Sequence, residues 1–276
     1  MLKRILVPLD PSEYSTNAVR YASYIAQKQN AITTGMVIYD IPGIEKSIGS
    51  YPTGGLYWAE KLEDAKKEKA KEEINILLNK FKIYCEKENV KYSETEVQGT
   101  PSKMILEEAK FYDLLVLGQK TFFHFESQES EGDSLEKILH YSITPILTVP
   151  KKFTPIKNVL IAFDGSHTAT RALKRFAHLT VAKDFNIKII MGDTNLEEGN
   201  YILQKAADYL KVYGITNVST EWTPEKIIDI IEEKYKNWAD LFVTGMHSKK
   251  GLVYFLVGSL PKYLINKIHK PVFIGQ

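Results

Sequence analysis

The sequence holds a single cysteine, Cys85, so no disulfide framework can form within the chain, and a reducing compartment suits it. No apolar run approaches the roughly 20 residues that a membrane-spanning helix needs. The opening segment MLKRILVPLD has two basic residues, but its apolar stretch breaks at Pro8 and Asp10, too short for a signal-peptide core. A cytoplasmic protein without membrane contact is the expectation. An excess of one charge is also missing. Lys and Arg number 36 against 34 Asp and Glu, a net +2, which gives no reason to expect nucleic acid or an acidic membrane as partner. What is present is 44% hydrophobic and 25% charged residues, the balance of a soluble globular chain with ample core. A length of 276 residues suggests about two domains.

The chain repeats itself. RILVPLDPS at 4–12 matches NVLIAFDGS at 158–166, each an apolar strand ending in Asp and Ser before a helical stretch. DLLVLG at 113–118 matches DLFVTG at 240–245, and the halves close with TPILTVP (144–150) and KPVFIGQ (270–276). A period this long means duplicated domains rather than a solenoid. The spacing divides the chain into 1–150, a short linker 151–157 punctuated by Pro155, and 158–276.

Periodicity and turn residues predict strands and helices in alternation. The first half reads as strand 3–9, helix 13–29 entered at Pro11 or Ser12, strand 31–39, a Gly/Pro-rich loop 40–55 and a long helix 57–89. Strand 91–97, helix 102–111, strand 113–117, helix 134–141 and strand 145–149 complete it. The second half repeats the order with strands 158–163, 186–191, 216–222, 240–244 and 271–275. Its helices fall at 167–184, 196–213, 224–237 and 260–268. Such alternation calls for an α/β fold, a parallel sheet with helices on both faces, with ligands beyond the carboxyl ends of strands at a switch point. Asp164 and Gly245 both fall at strand ends, so one crevice could contain both. Helix 57–89 is polar over much of its surface; solvated charge is the plain reading and assembly the alternative.

The stretch 240–259, ADLFVTGMHSKKGLVYFLVGS, carries the chemistry. An apolar strand ends at Gly245, and Gly258-Ser259 opens a helix. Glycines let the backbone approach a ligand, and the N–H groups and dipole of a helix start favour negative charge. This is neither a Walker A loop nor a dinucleotide G-x-G-x-x-G. The plain alternative is an ordinary strand–loop–helix connection whose glycines serve only its turns.

The arrangement Gly245, two residues, Ser248, nine residues, Gly258-Ser259 resembles the G-x-x-G-x9-G-[ST] motif of the universal stress protein family, with Ser248 in place of the second glycine. VPLDPS and IAFDGS, G-T-P at 99–101 with T-P at 223–224, and D-L-x-V-x-G before the loop add to the likeness, which covers nearly the whole chain twice. The resemblance implies a tandem member: two similar domains, each an open five-stranded parallel sheet flanked by helices, Rossmann-like and akin to the adenine nucleotide alpha hydrolases. It also implies pairing of the last strands, which two linked domains could achieve within one chain about a pseudo-twofold axis; widely separated domains, or one continuous mixed sheet, would count against that packing. By the same resemblance ATP, with or without Mg²⁺, is held in the second domain. Asp164 stands at the nucleoside end with Ala162 and Met191, and Gly245, Ser248, Gly258 and Ser259 surround the phosphates.

The first loop differs. Pro145 lies thirteen residues after Gly132 and Pro271 thirteen after Gly258, which aligns Asp133 with Ser259. A serine hydroxyl donates to phosphate, whereas a carboxylate only accepts and repels. Thr121 stands at the second glycine position, and Glu126, Glu129 and Glu131 add like charge. The first domain is therefore expected not to bind ATP in the family's manner, with Asp133 serving as a helix cap. The acidic cluster could bind Ca²⁺ or Mg²⁺ but lacks EF-hand spacing. Phe122, Phe123 and Phe125 read as packing, and His247, Lys249 and Lys250 as loop residues that could also meet phosphate. Trp222 stands where the first copy has Gly99 and could crowd the crevice. No Ser/His/Asp set, general base or arginine finger can be assembled, and Asp164 is the only carboxylate expected at the crevice. The leading reading is a nucleotide-binding regulatory or stress-response protein. The alternatives are a slow ATPase and a ligand-free dimerisation or interaction module, and a homodimer is also compatible with the sequence.

Overall fold

A computed structural model describes residues 2–49, 55–120, 123, 133–192, 195–246 and 258–275. The first half runs β1 (Arg4–Pro8), α1 (Glu13–Gln29), β2 (Ile32–Tyr39), α2 (Ile41–Ile48), α3 (Leu56–Lys87), β3 (Tyr92–Gln98), α4 (Pro101–Ala109), β4 (Leu114–Gly118), α5 (Asp133–Tyr141) and β5 (Ile146–Val149). The second half runs β6 (Asn158–Ala162), α6 (His167–Ala177), β7 (Asn186–Gly192), α7 (Leu196–Val212) and β8 (Val218–Thr223). It continues with α8 (Ile227–Ile230, extended by a π turn over Ile231–Tyr235), β9 (Leu241–Gly245), α9 (Ser259–Tyr263, extended by a π turn over Leu264–Ile268) and β10 (Val272–Gly275). No described helix is long and apolar enough to cross a membrane.

Within each half the five strands are parallel, and the two sets join where β5 meets β10 antiparallel. The order is β3-β2-β1-β4-β5-β10-β9-β6-β7-β8, which reads as the same five-strand set from either edge. The register at the join shows the symmetry. Thr148 faces Val272, Leu147 faces Phe273 and Ile146 faces Ile274. With Pro145 and Pro271 as equivalents, a local twofold passes between Leu147 and Phe273. The last strands thus pair within one chain, as expected. The halves do not keep separate sheets, because two edge strands with unmade backbone hydrogen bonds gain by pairing, and the result is one continuous mixed sheet.

The repeat extends to single hydrogen bonds. Asp113 Oδ2 accepts from the N–H groups of Lys3 and Arg4 at 2.7 and 2.9 Å, and Asp240 Oδ2 accepts from Lys157 and Asn158 at 3.1 and 2.9 Å. Each carboxylate ties the turn before β4 or β9 to the start of the first strand of its half. The linker is also held: Tyr21 Oη donates to the Thr154 carbonyl at 3.0 Å and accepts from its N–H at 2.9 Å, while Phe153 packs on the Tyr21 ring.

Helices cover both faces. On one face α1, α3, α6 and α7 bury a core containing Ile5, Val7, Leu147, Val159, Ile161, Met191 and Phe273. On the other, α4, α5, α8 and α9 bury Leu6, Leu115, Ile146, Leu160, Phe242 and Ile274. Alternation along each strand divides its apolar residues between the two. Cys85 is fully buried under α3, and burial pushes its thiol up to about 12. Phe123 is buried as packing requires; Thr121, Phe122, Phe125, Glu126, Glu129, Glu131 and Gly132 lie outside the described residues.

Several expectations need correction. The Gly/Pro-rich segment 40–55 contains α2: Asp40 caps it by accepting from Gly43 N–H at 3.0 Å, Pro42 sits in the first turn where it is tolerated, and Ile44 anchors it in the core. The helix expected over 167–184 ends at Ala177 and gives way to a 3-10 turn over Thr180–Asp184. The one expected over 224–237 starts only at Ile227. Thr223-Pro224 does not occupy the position of Thr100-Pro101. Strand register pairs Gly192 with Thr223 and Ile38 with Val97, so Thr223 matches Val97 and Trp222 matches Glu96 rather than Gly99. Trp222 packs against the α6/α7 core from the edge strand.

Candidate functional site

The crossovers decide where a crevice forms. In the second half the connections β6–α6–β7 and β7–α7–β8 lie on one face, while β8–α8–β9 and β9–α9–β10 lie on the other. The chain changes face between β6 and β9, which are hydrogen-bonded neighbours. Their carboxyl ends splay helices to opposite sides and leave a cleft, the usual ligand position in open α/β sheets. The same logic places a cleft between β1 and β4. Because the halves run antiparallel, the two clefts open at opposite edges of the sheet.

At the end of β6, Ala162 is buried and Asp164 is half-buried. Asp164 Oδ1 accepts from Ser166 N–H at 2.9 Å, and Ser166 Oγ accepts from Ala169 N–H at 3.2 Å, capping α6. Gly165 between them has φ +69°, a conformation that favours glycine. Gly245, ending β9, lies against this same first turn: a Cβ there would stand 2.5 Å from Ala169 N and 2.6 Å from Thr168 C. Packing of α6 therefore accounts for a glycine at 245 whether or not a ligand is present. Beyond it, Met246 O accepts from Gly258 N–H at 3.0 Å, which clasps the neck of the loop and delivers Gly258 and Ser259 to the start of α9. Ser259 is exposed at that start. Asp164, Gly245, Gly258 and Ser259 are thus linked through Ser166, Ala169 and Met246. Ser248, His247, Lys249 and Lys250 lie outside the described residues.

Met191 ends up differently from the others. Its side chain is fully buried in the α6/α7 core, so only its backbone could face a ligand. Sequence reading missed Thr168 and Ala169, the residues that meet Gly245; the cue was Ser166 three residues before Ala169, a cap signature. It also missed Gly192, whose missing Cβ leaves room for the Glu225 carbonyl 2.5 Å away, so the segment after β8 folds over the end of β7.

The first cleft is built alike and closed more tightly. Asp10 Oδ1 accepts from Ser12 N–H at 2.8 Å, and Ser12 caps α1 through Ser15 N–H at 3.2 Å. A Cβ on Gly118 would stand 2.5 Å from Tyr14 Cβ. Yet Asp10 is only 3% exposed, and Gln119, at the position of Met246, spends its side-chain amide on the Lys270 carbonyl of the other half at 2.7 Å. Among the described residues no group of three or more His, Cys, Asp or Glu is placed to hold a metal ion.

The model of the universal stress protein family matches residues 1–150, just over half of the chain. The chain belongs to the universal stress protein family. A curated member, universal stress protein Slr1230 of Synechocystis sp. strain PCC 6803, is 24% identical and is covered over 99% of its length by 98% of this chain. Among solved structures, a universal stress protein from Archaeoglobus fulgidus DSM 4304 superposes over 99% of this chain and 98% of its own, at 20% identity and a TM-score of 0.69. A universal stress protein solved in complex with cAMP matches 45% of this chain and 99% of its own, at 20% identity and a TM-score of 0.36. The whole-chain match gives the universal stress protein fold to both halves, including the second cleft.

Proposed function

We propose that this universal stress protein is a nucleotide-binding regulator that holds ATP in the cleft between β6 and β9. The observation that supports it is the contact chain from Asp164 through the α6 cap to Gly245 and on to Gly258-Ser259 at the mouth of α9. It brings a carboxylate and two helix N-termini to one switch point. The carboxylate suits a nucleoside hydroxyl, and helix starts suit phosphates. In this reading Ala162, Asp164 and the backbone of Met191 border the nucleoside, while Gly245, Ser248, Gly258 and Ser259 border the phosphates. The units are 1–150 and 158–276 joined by 151–157, and the chain forms its own pseudo-dimer. The first cleft stays without ATP, since Asp10 is buried and Asp133 stands where a serine would donate. A carboxylate near a triphosphate costs on the order of 1 kcal/mol or more.

Calorimetry on the full chain with ATP and ADP, with and without Mg²⁺, tests this. One site per chain is expected, lost in Asp164→Ala and in Gly258→Val, with circular dichroism confirming that both variants fold. No heat and no thermal shift for the wild type would refute nucleotide binding, and two equal sites would refute the exclusion of the first cleft. The full chain is needed because cutting after 152 would leave β5 without β10 and remove the Thr154 contacts of Tyr21.

A further inference from the structure

The longest helix has two apolar faces and the core uses one. α3 is 32 residues long, about 48 Å at 1.5 Å per residue. Its inward face buries Ala70, Ile74, Phe81 and Cys85. Nearer its start, Ala59, Glu63, Lys66 and Lys67 on the same side are partly buried, and Lys66 Nζ donates to Ser47 Oγ of α2 at 2.8 Å. At 100° per residue, Trp58, Leu62, Ala65, Ile76 and Ile83 fall on the opposite side. They are exposed: Trp58 by 70%, Leu62 by 47%, Ile76 by 52% and Ile83 by 64%. A helix on the outside of a sheet layer has no structural need for this second stripe.

The stripe is a heptad seam. Positions 58, 62, 65, 69, 72, 76, 79 and 83 alternate steps of four and three, the spacing that keeps one line of residues facing a partner helix. They read Trp, Leu, Ala, Lys, Glu, Ile, Asn and Ile. The two charges in the middle, Lys69 and Glu72, say what fits. A parallel second copy would set Lys69 on Lys69 and Glu72 on Glu72. An antiparallel copy centred between residues 70 and 71 sets Lys69 on the partner's Glu72, and symmetry makes that contact twice. The same register puts Trp58 on the partner's Ile83 and Ala65 on the partner's Ile76, again twice each, with Leu62 on the partner's Asn79. Flanking charges are mixed: Lys66 meets the partner's Glu73, whereas Lys61 meets the partner's Lys82. The centre of this register falls near the middle of the helix, so nearly all of α3 takes part.

We propose that the outer face of α3 is a self-association surface that pairs antiparallel with α3 of a second copy of this chain. It is separate from the β5–β10 join, which is already satisfied inside one molecule. It is also separate from both clefts.

Sedimentation equilibrium of the full chain over a wide concentration range tests it. The wild type is expected to show a monomer–dimer equilibrium. Ile76→Glu should leave monomer only. Lys69→Glu puts like charges opposite each other twice and should raise the dissociation constant by about tenfold or more, the equivalent of about 1.4 kcal/mol. The double variant Lys69→Glu/Glu72→Lys should recover the wild-type constant, which a general loss of stability could not produce. All the substituted positions lie on the outer face, and unchanged far-UV circular dichroism and melting temperature are the check on folding. A wild type that stays monomeric at every concentration overturns the proposal. So does a dimer indifferent to Ile76→Glu, or one that the charge exchange fails to restore.

Discussion

Replacing Gly245 by alanine separates packing from ligand binding. Gly245 ends β9 with an ordinary negative φ, so alanine meets no backbone penalty there. What it meets is α6: the new methyl would lie 2.5 Å from Ala169 N, 2.6 Å from Thr168 C and 2.8 Å from Thr168 Oγ1, against ordinary contacts of 3.4–4 Å. Two of these are backbone atoms held by the Ser166 cap, so no side chain can swing aside. The first turn of α6 must move by several tenths of an ångström, and overpacking of this kind costs about 1–3 kcal/mol. For a domain of 150–250 residues each kcal/mol lowers Tm by about 2–4 °C. Urea unfolding with an unchanged slope measures the loss directly. Gly118→Ala is the internal comparison, since its methyl would meet Tyr14 Cβ at 2.5 Å but backbone only at 3.0 Å, at the Lys120 carbonyl. Gly245→Ala should therefore cost at least as much as Gly118→Ala. An alanine at 245 that leaves stability within about 0.5 kcal/mol, the ordinary scatter of harmless substitutions, would refute the packing account. If that same variant also lost ATP, the glycine would serve the ligand instead.

Two further outcomes follow from the axis and from the edge of the sheet. Phe273 is 1% exposed, faces Leu147 across the pseudo-twofold and packs edge-on against Phe176 with centroids 5.9 Å apart; Phe273→Ala should cost about 3–5 kcal/mol in urea unfolding, and a loss near 1 kcal/mol would mean the join is not where the halves hold together. Glu221 on β8 is partly desolvated, which raises its pKa, but hydrogen bonds from Tyr235 and Lys188 and the charges of Lys188 and Lys234 outweigh this and hold it below the usual carboxylate range. Its contribution is thus present above the unfolded value, about 4.3, and is lost as pH falls through the folded one. The stability gap between wild type and Glu221→Gln should be flat near neutrality and close below about pH 4; a gap that widens on acidification contradicts the assignment.

The sequence by itself determined the repeat, the α/β alternation and most strand and helix positions, because each rests on local patterns. Apolar runs bounded by Asp, Gly or Pro made the strands, and Ser12 and Ser166 marked helix starts through their own side chains. Asp164 and Gly245 could be placed at strand ends for the same reason. Local pattern also misled: the Gly/Pro content of 40–55 hid α2, whose Asp40 cap and buried Ile44 outweigh its poor helix formers. The T-P likeness at 223–224 failed because two residues carry no register; only hydrogen bonding between β7 and β8 shows the three-residue shift and moves Trp222 away from the place of Gly99. Tertiary structure alone decided that two edge strands fuse into one sheet with Leu147 facing Phe273, since pairing depends on which edges are left open in space. It alone showed that the methyl missing from Gly245 makes way for α6, and that Met191 turns its side chain into the core. Those outcomes come from contacts between residues far apart in the chain, and no window of sequence contains both partners.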